Sequence, residues 1–279
     1  MTFQAEPQTK QTLNPTSTGF KTACFIALLT IANSGSAAQP SAAGQQMAGK
    51  SKHHPILKPY TAEYTASVEG LPFSGTGSRS LEKNADGTWT LSFSADTAFV
   101  GLNETSQFLS EGNQLIANQY TYKRTGLGNK PTEYASFNWQ QNKIHWQQGD
   151  KEWAINLKPE TLDKLSYQLQ LRMDLAASNP QKLSYEVADD DEVYQRQFII
   201  EGEEVIKTGV GKLNTIKVKI KRDDNDRSTW LWFAKDYDYF LVKLLQEEKG
   251  TSYTIEIKNA SIDGKPFKDS QTARLTDKP

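Results

Sequence analysis

Hydrophobic residues recur at every second position over most of this chain. Tyr60, Ala62, Tyr64, Ala66 and Val68 alternate with Thr61, Glu63, Thr65 and Ser67, as in a strand with one face in a core and the other in water. Trp89, Leu91, Phe93 and Ala95 repeat the pattern after Asn84-Ala85-Asp86-Gly87, a turn able to supply positive φ, which predicts a hairpin. Further strands are predicted over 106–110, 119–124 and 132–140, around Ile144 and Trp146, and around Trp153, Ile155 and Leu157. Alternation resumes at Leu183, Tyr185 and Val187, then over 194–201, 204–210, 213–221, 229–233, 240–246 and 252–259. Short strands so closely spaced, joined by turns rich in Gly, Asn and Asp, point to an antiparallel sheet.

One segment breaks the period of two. Leu162, Leu165, Leu169, Met173 and Ala176 recur at intervals of three and four, with Leu171 and Leu175 widening the stripe, which predicts an amphipathic helix. Pro159 suits its first turn, Glu160 complements the positive helix end, and Ser178-Asn179-Pro180 stops it. The expected fold is therefore all-β with one principal helix: an antiparallel, strongly curved sheet or open barrel of about a dozen strands. Residues 58–262 read as a single β-rich domain and 263–279 as a polar tail. Residues 39–57, rich in Gln, Ser, Ala and Gly, read as a flexible leader.

The first 38 residues read as a secretory signal peptide. Lys21 precedes the apolar run Thr22 to Ala32, and small residues follow through Ala37-Ala38, so cleavage is expected after Ala38. Retention of the segment as an anchor is the alternative. The run is shorter than a permanent membrane span, no second segment reaches that length, and the expected location is the bacterial periplasm. The single cysteine, Cys24, lies inside the run, so residues 39–279 contain none and no disulfide is expected.

Charge narrows the function classes. Lysine and arginine number 32 against 33 acidic residues, so nothing suggests the cationic surface that nucleic-acid binding requires. Three histidines and one cysteine leave few ligands for a transition metal or for a nucleophile–base pair. His53 and His54 fall in the leader, and His145 reads as an exposed strand residue opposite Ile144 and Trp146. The acidic runs 189–192 and 223–226 lack the spacing of a calcium loop and read as turns. Gly126-Leu127-Gly128 and Gly209-Val210-Gly211 neither open a helix nor carry the following residues of a phosphate loop, and no Gly-x-Ser-x-Gly turn is present. No catalytic residue, metal or cofactor is assigned.

The aromatic residues carry the one positive indication of a ligand. Trp139, Trp146 and Trp153 are expected on three neighbouring strands, and Trp230 and Trp232 on one strand face. Such residues stack on sugars, line an apolar cavity, or fill the core of a curved sheet. Leu162, Leu165 and Leu169 join them as candidate ligand-binding residues if the helix is a lid over a cavity; if not, they plug the core.

Tyr60-Thr61-Ala62-Glu63-Tyr64, Asp163-Lys164-Leu165-Ser166 with Leu169 and Leu171, and Thr229-Trp230-Leu231-Trp232 with Leu241-Val242-Lys243 together resemble the bacterial family known as domain of unknown function 3108, over about residues 58–260. The resemblance implies an exported, β-rich protein with no established activity and no catalytic residues to transfer. The expected function is non-enzymatic binding of a lipid, glycan or envelope protein, with a lipid or lipoprotein carrier as its sharpest form. An enzyme acting on envelope polysaccharide or peptide, and an assembly protein pairing through a sheet edge, are the alternatives.

Overall fold

A computed structural model describes residues 57–70, 74–97, 99–128, 130–177, 183–222 and 227–268. The expected signal peptide and its cleavage site, Cys24, His53, His54, the helix stop at 178–180 and the acidic run 223–226 lie outside the described residues.

Eight strands run in sequence as an antiparallel meander: β1 (Tyr60–Val68), β2 (Ser74–Lys83), β3 (Trp89–Asp96), β4 (Val100–Glu111), β5 (Gln114–Gly126), β6 (Glu133–Asn138), β7 (Lys143–Gln148) and β8 (Lys151–Asn156). Helix α1 (Ser166–Ala176) follows. A second meander comprises β9 (Ser184–Asp189), β10 (Glu192–Thr208), β11 (Gly211–Lys221), β12 (Arg227–Ala234), β13 (Phe240–Glu248) and β14 (Thr251–Ile262), with the two-residue β15 (Lys265–Pro266) hairpinned onto β14. Pairing of β1 with β14 joins the two meanders into one sheet, ordered β8-β7-β6-β5-β4-β3-β2-β1-β14-β13-β12-β11-β10-β9. The sheet curls like a barrel without a closing ladder between β8 and β9.

Alternation in sequence becomes alternation in burial: Tyr60, Ala62, Tyr64 and Val68 face the core while Thr61, Glu63 and Thr65 face water. Register shifts at Glu63/Tyr64, Gln107/Phe108, Ile200/Gly202 and Trp232/Phe233 add bulges, and a bulge raises local twist and bends its strand. Their distribution over both meanders suits a strongly curved sheet.

Three expectations are corrected. Strand β2 has no counterpart among the expected strands, because Gly75 and Gly77 make its sequence read as a loop; a Cβ at Gly77 would sit 3.3 Å from the Ser94 carbonyl and 3.6 Å from the Phe93 ring, so the missing side chain makes room for that ring. The runs 194–201 and 204–210 are one strand of 17 residues, bent at Gly202, whose φ is 144°. The chain also stays within the fold past residue 262. Phe267 stacks on Tyr237 with centroids 3.8 Å apart, and its N–H bonds the Ala260 carbonyl at 2.9 Å.

The helix departs furthest from expectation. It begins at Ser166, not near Pro159, and it is buried around nearly its whole circumference, Gln168 and Gln170 included. Glu160 adopts φ 58°, which no helix turn tolerates. Leu162 is extended and bridges Val187 in parallel, its N–H on the Glu186 carbonyl at 2.9 Å and its own carbonyl receiving the Ala188 N–H at 2.8 Å. Asp163 then closes the turn into the helix, its carboxylate accepting from the N–H groups of Leu165 and Ser166 at 2.9 and 2.8 Å. An all-round buried helix needs partners for its polar side chains, and the sheet supplies them. Gln168 accepts from Arg79 at 2.8 Å, Gln170 accepts from the Leu115 N–H at 2.8 Å and donates to the Asn113 carbonyl at 2.7 Å, and Arg172 donates to the Asp238 carbonyl at 2.8 Å.

Candidate functional site

Two regions of the first meander concentrate polar chemistry, one on each face of the sheet. On the inner face, β4 presents Glu104 and Ser106 and β5 presents Tyr120 and Tyr122, with Glu104 opposite Tyr122 and Ser106 opposite Tyr120. The segment before the helix lays Asp163 and Lys164 against them. Ser106 donates to Asp163 at 2.6 Å. The Lys164 ammonium lies 2.9 Å from Asp189 and 3.5 Å from Glu133, and 5.4, 5.5 and 5.9 Å from the ring centroids of Tyr120, Tyr122 and Trp146. Burial opposes its charge, but Asp189 and Glu133 outweigh burial and hold it above the usual lysine range.

Glu104 is the unsatisfied member. It is 1% exposed, and neither carboxylate oxygen meets full hydrogen-bond geometry, although the Tyr120 hydroxyl is near enough to act on it as a weak donor. That hydroxyl and the indole N–H of Trp146 are also buried without a partner in full hydrogen-bond geometry. Desolvation pushes the Glu104 carboxyl up to about 7; Lys164 and Arg79 pull the other way, and Asp163 adds to the rise. Burial likewise raises Asp163. Two carboxyls held towards the neutral form can serve acid–base chemistry, but both are about 1% exposed, sealed from any substrate.

The outer face of the same strands is open. Register aligns two rungs across four strands: Gln119, Ser136, His145 and Ala154 in one, Thr121, Tyr134, Gln147 and Glu152 in the other. Together they line a depression of about 630 Å³. Apart from half-buried Thr121, every side chain of the two rungs is exposed, and Glu152 is the one formal charge among them. Tyr134, 50% exposed, stands in the second rung between Thr121 and Gln147.

The sequence-selected residues divide accordingly. Trp146 is buried on the inner face; Trp153 stacks parallel to it at 6.2 Å and donates to the Asp190 carbonyl at 2.9 Å. Trp139 lies just beyond β6, half-buried, and donates to the Ala117 carbonyl at 2.8 Å. The three tryptophans form no exposed row, but Trp146 and Trp153 are among the residues that line the outer depression. Trp230 and Trp232 share the outer face of β12, where Lys217, Lys219 and Lys243 lie over their rings. Leu162, Leu165 and Leu169 are at most 2% exposed in close packing. Two cavities, at the helix and at the adjacent sheet wall, hold about 10 and 20 Å³, room for at most a single water, and the three leucines are packed in the core. His145 lines the outer depression. Of the acidic run 189–192, Asp189 turns inward to Lys164 while Asp190 makes the β9–β10 turn at φ 52°. Among the described residues no three His, Cys, Asp or Glu side chains converge as metal ligands.

Sequence reasoning missed Glu104, Tyr120, Lys164 and Glu133. The signal was present in Leu102, Glu104, Ser106 and Phe108, whose alternation places a carboxylate on the core face; starting that strand at residue 106 hid it.

The family model described as a protein of unknown function (DUF3108) matches residues 60–258. No curated protein matches the sequence. Among solved structures, a β-barrel-like DUF1849 protein from Brucella abortus is similar with TM-score 0.48 and 11% identity, over 74% of this chain and 98% of that one. MucB of Pseudomonas aeruginosa, solved with MucA, gives TM-score 0.33 and 10% identity over 75% of this chain and 53% of that one. A DUF1329 protein from Desulfovibrio piger gives 0.25 and 12%, over 75% and 87%.

Proposed function

Given that the chain belongs to the DUF3108 family, we propose that it is an exported, non-enzymatic binding protein of the bacterial envelope whose ligand surface is the outer depression across β5 to β8. The observation that carries this reading is the contrast between the two faces of one sheet. Among the described residues the helix is buried against the inner face, where two cavities hold about 10 and 20 Å³, while the outer face offers about 630 Å³ between two aligned, mostly polar rungs. Binding sites combine concavity with a few convergent polar groups, and the outer face has both.

Export rests on the segment from Lys21 to Ala38. Among the described residues no helix is long and apolar enough to cross a membrane. The lipid-carrier form of the reading requires room beneath α1 where Leu162, Leu165 and Leu169 are now buried. The enzymatic alternative finds its raised carboxyls, Glu104 and Asp163, inside the seal instead of in a cleft.

The test is native mass spectrometry with solvent extraction on the chain recovered from a periplasm, beside a Gln147→Ala and His145→Ala double variant. A polar small molecule carried by the parent chain and lost from the variant is the expected result. An acyl lipid retained equally by both proteins would overturn the placement of the site, and an empty parent chain would count against a stably held ligand.

A further inference from the structure

Resting on that placement, we infer that the outer depression of β5 to β8 recognises an uncharged oligosaccharide strand laid across the sheet. Its length comes first. Two rungs run unbroken over four strands, and three inter-strand spacings give a track of about 14 Å, suited to an elongated oligomer of several sugar units more than to a compact metabolite.

Its chemistry comes second. The track offers side-chain amides at Gln119 and Gln147, a hydroxyl at Ser136 and an imidazole at His145. Amide, hydroxyl and imidazole can each donate and accept, as a polyhydroxylated ring demands. With Glu152 as the only formal charge, no cation among the lining residues answers a phosphate or a polyanion. Tyr134 adds an exposed aromatic ring at the middle of its rung, a platform of the kind on which the apolar face of a pyranose stacks.

The same observations disfavour the other elongated ligand, a peptide. Peptides gain main-chain hydrogen bonds by extending a sheet edge, or seat side chains in apolar pockets. A ligand laid across β5, β6 and β7 gains no such bonds from them, since they already pair on both sides, and the open edge of β8 lies only at the end of the track.

The experiment uses the full exported chain, isotopically labelled, with chitotetraose, cellotetraose and maltotetraose as probes and a neutral Ala/Ser octapeptide as comparison, read by amide chemical-shift mapping. At least one tetrasaccharide is expected to shift amides of the two rungs at millimolar concentration. Tyr134→Ala should weaken that binding about tenfold or more, whereas Tyr134→Phe keeps it, because the ring stacks and the hydroxyl does not. Tyr134 faces solvent, so both variants fold, which the unchanged spectrum away from β5 to β8 verifies. If no tetrasaccharide binds while the peptide or a ligand recovered from the periplasm shifts the same amides, the oligosaccharide assignment is wrong and the placement of the site survives. If no ligand shifts those amides, or shifts appear only elsewhere, both fall.

Discussion

Replacing Glu104 with Gln should change the pH dependence of stability by an amount readable from the structure. The native carboxyl titrates at about 7, against an ordinary value of 4.5. Between those two pH values the folded protein therefore binds more protons than the unfolded chain, and stability falls as pH rises through the window. Each pH unit between them is worth about 1.4 kcal/mol, so Glu104 should cost the fold about 3 kcal/mol at pH 8.5 that it does not cost at pH 4. Gln has nearly the shape of the neutral acid and cannot ionise. The assay is urea unfolding of both proteins from pH 4 to 8.5, followed by tryptophan fluorescence. Taking the difference between them removes the groups that do not interact with Glu104, whereas Asp163, which is coupled to it, enters the result. The facing groups that set the result are Lys164 and Asp163 before the helix, Arg79 on β2, and Tyr120 on β5. The stability difference between variant and parent should shift in favour of the variant by about 3 kcal/mol across the range. A difference that stays constant would refute the argument, for it would mean that Glu104 is ionised throughout and satisfied by a partner such as trapped water.

Other substitutions test the packing around the helix and the chain ends. Lys164→Ala leaves Glu133 and Asp189 facing each other without their shared cation and should cost about 3 to 5 kcal/mol in urea unfolding at pH 7. Leu171→Ala, at a fully buried position, should cost about 2 to 5 kcal/mol, whereas Leu109→Ala at an exposed one should stay within about 0.5 kcal/mol. Phe267→Ala removes the stack on Tyr237 and should lower stability by about 3 kcal/mol, seen as a lower thermal midpoint. Gly126→Ala should cost about 2 to 3 kcal/mol, because φ is 85° and the new Cβ would meet the Phe99 carbonyl; an unchanged midpoint would mean that the β5 end moves freely.

What the sequence disclosed follows from how each element earns its stability. Strands β1, β3, β7 and β13 lie half in the core, so their alternation is visible, and the antiparallel all-β class followed from it. Where side-chain patterning was suppressed, reading failed. Gly75 and Gly77 erased β2, and the kink at Gly202 divided β10 in two. The helix misled because leucines at three-and-four spacing imply one buried face, yet Gln168 and Gln170 are buried too, with hydrogen bonds to Arg79, Leu115 and Asn113 that are distant in sequence. The same holds for the site. Trp146 and Trp153 stack by register between β7 and β8, and the outer rungs depend on the same register, which a single chain does not spell out. Of the residues that line the outer depression, His145, Trp146 and Trp153 stand out in the sequence, whereas Gln119, Ser136, Tyr134 and Gln147 carry no signal of their own.

The single ladder joining the meanders has a kinetic meaning. Every other strand pair of the sheet links chain neighbours through hairpins, but β1 meets β14, with Tyr60 opposite Ile262 and Val68 opposite Tyr253, across almost the whole described chain. As the polypeptide emerges from its amino end, β1 has β2 on one side and a bare edge on the other until β14 arrives. Closing a loop of that length is entropically expensive, and such non-local pairing is slow. The nascent chain thus carries an unsatisfied, aggregation-prone strand for most of its synthesis. Its alternating Thr61, Glu63, Thr65 and Ser67 keep one side of that strand wet during the wait. A truncation that removes β14 would prolong the wait indefinitely, and the product should behave as a sticky, open-edged sheet even though every hairpin in it remains intact.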